Sequence, residues 1–377
     1  MKKCLRVLFK TVKWIFIVLL SMIVLFLIVR FIGQRINNRT PEGGINETMY
    51  VDINGTKQWI NIYGQDKDNP VLLYLHGGPG SSTSEMDYPV LRKLSDIYTV
   101  VNWDQRAAGH NWTRELNSTP VTYEQLFSDG EEMTKFLLDY MHTDKITVMG
   151  ISWGAAFGAN MVLDHPEHYD KFIALSWPVD NIEIQKAFKE QALEWTKDDP
   201  ELHKKAENII TEQSVYDSMT FDEQLDAANE QYSIEERYCE PDSLFAGDVN
   251  LISAMIFNPY WSLKDYYNIY VTQSNSLNYE NLSDFCYYQC MMKGSWEAFS
   301  VLDRTEYKVP VYTINGNKDY TIMPCVVKEY FDRITAPDKA YYEVEGGHYM
   351  PMLLSDQLSE TVHEIAGKNI SDQELAE

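Results

Sequence analysis

Gly150-Ile151-Ser152-Trp153-Gly154 separates an apolar run, Lys145 to Met149, from a stretch of small and apolar residues, Trp153 to Leu163, that keeps helical spacing and contains no proline. The first run reads as a short buried strand and the second as a helix. A serine between them sits on a tight strand-to-helix bend, where flanking glycines let neighbouring backbones approach. Such a bend lifts the hydroxyl clear of the sheet edge. It also points the backbone N–H of Trp153 into the same space, so a nucleophile and one oxyanion donor fall side by side. Alone, the pentapeptide also fits a glycine-rich turn with a surface serine. The rest of the chain has to decide.

Three other strand patterns end in loops suited to the same site. Val71 to Leu75 runs into His76-Gly-Gly-Pro-Gly80, a glycine-rich loop that can turn a backbone N–H, that of Gly78 first, toward the serine. Val309 to Ile314 is followed by Asn315-Gly-Asn-Lys-Asp319, and Tyr341 to Val344 by Glu345-Gly-Gly-His348. Any one Asp or His by itself reads as a solvated loop residue. The set Ser152, Asp319, His348 in that chain order, each after a strand, reads as a nucleophile, an orienting acid and a base. The other histidines fit less well. His110 and His142 precede the serine, His165 and His168 fall at the opposite end of the sheet, and His203 and His363 lie in polar helical patterns. No His-Glu-x-x-His or Cys/His spacing suggests zinc, and the chemistry calls for neither a metal nor an organic cofactor.

With Asn102-Trp-Asp104-Gln-Arg-Ala-Ala-Gly109 added, these motifs make the sequence resemble the α/β-hydrolase superfamily and, within it, the proline iminopeptidase-like group of serine aminopeptidases. The likeness covers residues 45–180 and 300–367. It implies a mainly parallel, doubly wound sheet with an inserted helical cap. It also implies an acyl-enzyme mechanism with Ser152 as nucleophile, His348 as base and Asp319 as acid. The substrates implied are short peptides or aminoacyl amides with a free N-terminus. Aminopeptidases of this group hold the substrate amine with cap glutamates, one inside a Glu-Asn-His-Tyr-Phe element. The nearest segment here, Phe257-Asn-Pro-Tyr-Trp261, lacks that glutamate. The Glu235–Glu236 pair, with Glu236 as the candidate substrate-binding residue, is the nearest replacement. Two other functions stay open: a carboxylesterase acting on small or acyl-chain esters, and a non-catalytic cell-surface binding protein that keeps the fold. The complete Ser, Asp and His set argues against the last.

The N-terminus has a different character. From Trp14 to Val29 only Ser21 is polar. Extended to Ile32 the run spans about 28 Å as a helix, close to the ~30 Å hydrocarbon core of a bilayer. No small-x-small cleavage site follows it, so a retained signal anchor is expected rather than a cleaved leader. Lys2, Lys3, Arg6, Lys10 and Lys13 precede the run, and Arg30, Arg35 and Arg39 follow it. That bias predicts a cytoplasmic N-terminus and a catalytic body outside the cell membrane, with Arg30 snorkelling at the lipid boundary. The formal charge of the chain is −24, and residues 1–39 contain eight Lys/Arg and no Asp/Glu. The body is therefore strongly acidic, which argues against nucleic acid as a partner. Four cysteines in so large a body do not make a disulfide framework, and the spacing of Cys286 and Cys290 fits helix packing.

Asn54-Gly55, between two apolar alternating stretches, predicts a hairpin. Strand patterns recur at 71–75, 98–103, 145–149, 171–175, 309–314 and 341–344, with helical patterns at 122–141, 153–164, 324–334 and 352–366. Alternation of this kind predicts a doubly wound α/β fold. The expected layout is a basic segment at 1–13, an anchor at 14–32, a linker at 33–46, a hydrolase core at 47–178 and 300–370, and a helical cap at 179–299. Residues 1–39 are expected to hold the chain at the membrane and leave the chemistry, on a small peptide or ester, to the body.

Overall fold

Every strand pattern forms a strand. They are β1 (Ile45–Ile53), β2 (Thr56–Gly64), β3 (Val71–Leu75), β4 (Thr99–Trp103), β5 (Ile146–Ile151), β6 (Tyr169–Leu175), β7 (Val311–Gly316) and β8 (Lys339–Val344). A computed structural model, describing residues 2–80, 82–112, 121–239, 247–273 and 299–374, joins them in one sheet of order β1-β2-β4-β3-β5-β6-β7-β8. β1 and β2 are antiparallel, as are β2 and β4; the pairs from β4 to β8 are all parallel. Asn54 and Gly55 both take positive φ, 46° and 76°, as a two-residue hairpin matching the strand twist requires.

The inner strands are buried along their whole length. Val71–Leu75 and Ile146–Ile151 show no exposed residue, which is why they read as continuous apolar runs rather than as alternation. One core layer forms where Trp153, Phe157 and Phe172 pack, and a second, on the other face, gathers Leu72, Met149, Ile173 and Val362. Chain order reverses around β3, which lies between β4 and β5. The crevice at the carboxyl ends of the strands opens at such a switch point. The loops after β3, β5, β7 and β8 all lead to that edge, and they carry His76–Gly80, Ser152, Asp319 and His348.

The sequence between β6 and β7 builds helices over the crevice: Asn181–Trp195, Pro200–Glu207, Gln213–Ser218, Phe221–Tyr238, Leu251–Phe257 and Leu263–Tyr267. A capping box closes the Phe221–Tyr238 helix, with Thr220 and Glu223 satisfying each other's backbone donors. Cys286 and Cys290 lie outside the described residues. The helix expected at 352–366 is broken at Leu354 into Met350–Leu353 and Ser355–Glu374.

The N-terminal helix departs from expectation. It runs unbroken from Lys2 to Asn37, taking in part of the expected linker. Within Arg6–Asn37 an 18-residue segment reaches a mean hydropathy of 3.1, and the helix is long and apolar enough to cross a membrane. Arg30 is turned into the body. It is 5% exposed, and its guanidinium donates to the carbonyls of Ile256 (2.5 Å), Trp261 (2.7 Å) and Met255 (3.3 Å). Gln34 donates to Asn258 O and Asn37 to Phe257 O. Gly33 lies against the Phe257 ring, where any side chain would collide.

Candidate active site

Ser152 closes β5 and precedes the Trp153–Asp164 helix with φ 53° and ψ −124°. That conformation is strained for a residue with a Cβ and persists only where its surroundings enforce it. The surroundings here do so. Ser152 N donates to Leu175 O at 2.9 Å. A Cβ on Gly150 would overlap the Gly154 backbone, and one on Gly154 would overlap the Leu75 carbonyl. The two glycines are thus the condition for packing the bend against β3. Trp153, the first residue of the helix, has one of the N–H groups that helix geometry leaves without an intrahelical acceptor.

Asp319 and His348 come together from the loops after β7 and β8. His348 Nδ1 lies 2.8 Å from Asp319 Oδ2, and both residues are buried. An ionised carboxylate can only accept, so Nδ1 carries the hydrogen and Nε2 is left as the basic nitrogen. The other Asp319 oxygen accepts from the backbone N–H groups of Ile322 (2.7 Å) and Thr321 (3.0 Å), which fixes the carboxylate in place. The Ser176 hydroxyl donates to the His348 carbonyl at 2.8 Å. Ser152, His348, Gly77 and Gly78 share the wall of one cavity of about 380 Å³.

The Asp104-Gln-Arg segment explains itself as bracing. The Gln105 amide donates to His76 O and its carbonyl accepts from the Trp153 indole, so one side chain ties the glycine loop to the serine bend. Arg106 makes a buried two-point pair with Asp129, at 2.6 and 2.8 Å, a geometry suited to guanidinium. Asp104 is fully buried and accepts from Ser82 and from His110 N and Nδ1, the latter two at 2.7 Å. Burial alone would raise the Asp104 carboxyl, but His110 and Ser82 outweigh it and hold it below the usual carboxylate range. Burial likewise opposes charge on His110, yet Asp104 wins and lifts the imidazole above its ordinary value. The His110 ring stacks on Trp59 at 4.2 Å.

The cap glutamates do not sit as the sequence suggested. Glu236 is exposed on the Phe221–Tyr238 helix. Glu235 is the one turned inward: burial raises its carboxyl, and it lies close enough to feel Asp319 and His348. Neither lines the cavity among the described residues. The acids that do line it, Glu85 and Asp87, were missed, because Ser84-Glu-Met-Asp87 reads locally as a solvated loop. His165, Glu167 and His168 have ligand atoms within 4.8 Å of one another, but they lie before β6, at the sheet edge opposite Ser152.

A family model described as alpha/beta hydrolase fold matches residues 70–353. A probable aminopeptidase of Bacillus subtilis, YbaC, is 22% identical over 303 residues, covering 80% of this chain and 90% of the relative. A putative proline iminopeptidase of Mycoplasma genitalium is 30% identical over 132 residues, 34% of this chain and 39% of that protein. Among solved structures, a proline iminopeptidase-related protein of Thermus thermophilus superposes with a TM-score of 0.52 at 16% identity, over 85% of this chain and 96% of its own. VinJ does so with a TM-score of 0.57 at 16% identity, over 86% and 98%. At such identities the structural likeness speaks for the fold.

Proposed function

The chain belongs to the α/β-hydrolase family, and on that footing we propose that it is a membrane-anchored serine hydrolase of the proline iminopeptidase-like group. Its substrates are short peptides or aminoacyl amides with a free N-terminus. The observation that carries the chemistry is the strained Ser152 bend opening into the same cavity as His348, whose Nδ1 is held by Asp319.

In this mechanism Ser152 Oγ attacks the substrate carbonyl while His348 Nε2 takes its proton. Asp319 keeps the imidazole in the right tautomer and stabilises the imidazolium. The oxyanion is received by the Trp153 N–H, at the positive end of its helix, and by the Gly78 N–H. His348 then protonates the leaving amine, and water hydrolyses the acyl-enzyme by the same steps. The aminopeptidase names of the relatives support the substrate class. The exposed apolar side chains from Val7 to Ile32 support membrane anchoring, since water does not tolerate such a rod.

One observation favours a second reading, a carboxylesterase. Much of the cavity wall is apolar, from Met86, Val90, Ile151, Leu251, Met352 and Leu353. Either substrate class requires the same nucleophile. A fluorophosphonate probe is expected to label the parent and spare Ser152→Ala, whose turnover falls on the order of a millionfold. Equal labelling of the two proteins removes Ser152 from the mechanism.

A further inference from the structure

One wall of the cavity is not used by Ser152, Asp319 and His348. The segment after the His76–Gly80 loop brings Glu85 and Asp87 to it, with Asp104 behind. Asp87 has both oxygens satisfied, by Asn102 at 2.8 Å and Thr83 at 3.0 Å. Asp104 is satisfied by Ser82 and His110. Glu85 differs. It is 6% exposed; Oε1 accepts from the Tyr270 hydroxyl at 3.3 Å, while Oε2 has no hydrogen-bond partner among the described residues. A buried carboxylate oxygen left bare is costly and calls for an explanation.

The position is not a loose loop. Asn258 Nδ2 donates to the carbonyls of Glu85 (2.8 Å) and Ser84 (2.9 Å), and the Trp261 indole donates to Ser84 Oγ at 3.0 Å. The fold therefore holds the backbone of an unsatisfied acid against a cavity that also contains the nucleophile. We propose that Glu85 receives a cationic amine of the substrate, in the same cavity as the carbonyl that Ser152 attacks. This deepens the peptidase reading above and rests on it.

The local charge favours a cation. Glu85 lines the cavity with the Asp104–His110 pair behind it, and a low dielectric strengthens whatever pairing completes its carboxylate. Burial pushes the Glu85 carboxyl up to about 7, the Asp104 charge adding to it while its own backbone N–H, Tyr270 and His110 oppose. An ammonium at Oε2 reverses that push and supplies the missing donor in one contact. The aromatic rings of Trp261 and Tyr270 line the same wall and offer faces that also attract cations. The rival acid, Glu235, already accepts from Gln231 at 3.0 Å.

The test uses the full chain in detergent, with an aminoacyl ester and its N-acetyl counterpart. Glu85→Gln should raise KM for the free amine about a hundredfold. It should leave the acetylated ester and the fluorophosphonate labelling rate as in the parent. Glu85→Asp, which keeps the charge, should retain more of the affinity. Equal losses on both esters, no loss on either, or a loss that follows Glu235→Gln instead would overturn the assignment. Calorimetry with an aminoacyl amide on Ser152→Ala, with and without Glu85→Gln, reads the same contact without hydrolysis. Binding weakened about a hundredfold supports Glu85 even if Ser152 proves not to be the nucleophile; equal binding refutes it.

Discussion

Glu85 makes the folded state sensitive to pH. In the unfolded chain its carboxyl titrates at the ordinary value of 4.5, and in the fold at about 7, chiefly through burial, with its own backbone N–H opposing, the Asp104 charge adding, and Tyr270 and His110 opposing. Asp87 is raised well above its ordinary value, by burial first and then by the Glu85 charge. Between the two Glu85 values the unfolded chain has released a proton that the folded chain retains, so stability falls as pH rises through that window and levels off above it. Glu85→Gln removes the titration. Its stability relative to the parent should therefore be greater at pH 8 than at pH 4.5 by about 3 kcal/mol, read from denaturation midpoints in detergent. A difference that does not change with pH would mean that Glu85 is solvated. The contrast with Ser152, Asp319 and His348 shows what sequence can carry. Each of those follows a strand, so local pattern alone places it at the crevice. Glu85 is buried only because Asn258, Trp261 and Tyr270 close over it from about 170 to 185 residues away, and no local pattern encodes that. Asp104 and His110 form their buried pair for the same kind of reason, with His110 shelved on Trp59.

The inner strands were readable because buried parallel strands are short apolar runs bounded by glycine, proline and polar residues, and β1 and β2 because they alternate about Asn54-Gly55. The N-terminal helix was readable only as apolar. Hydropathy says that a helix suits lipid and nothing about what its last two turns touch. Here Arg30, Gln34 and Asn37 bond the carbonyls of the 255–261 segment. Asn258 and Trp261 of that segment hold Ser84 and Glu85. Trp261 itself lines the cavity, so the helix is in direct contact with a residue of the wall. Arg30→Ala removes three charged hydrogen bonds at a buried site and should cost about 2 kcal/mol of stability. It should also raise KM several-fold while changing kcat less, because the wall shifts and the Ser152 bend does not. Arg30→Lys should fall between, since one ammonium cannot match the planar reach of guanidinium. Thermal midpoints and steady-state kinetics in detergent decide the matter. Parent-like values for Arg30→Ala would reduce the helix to a simple anchor.

The docked helix also bears on which side of a membrane the body occupies. Before the apolar run stand Lys2, Lys3, Arg6, Lys10 and Lys13; after it stand Arg30, Arg35 and Arg39. Topology follows the free basic residues near each end of a span. Five basic residues before the run against three after it keep the expected bias toward a cytoplasmic N-terminus. The acidic body adds little to the choice, since acidic residues weigh weakly in it, but it will be repelled by anionic lipid on either face. In the proposed anchored arrangement, the helix-to-body contacts set how high the crevice stands above the bilayer. The expected outcome is an exported body, and Cys325, a free and exposed thiol on the Pro324–Arg333 helix, can report it. A membrane-impermeant maleimide applied to cells whose outer surface is open to the reagent should label the parent more than Cys325→Ser. In sealed inverted membrane vesicles the two should label alike. If the difference between parent and variant appears only in the inverted vesicles, the body is cytoplasmic. The substrate would then be drawn from inside the cell.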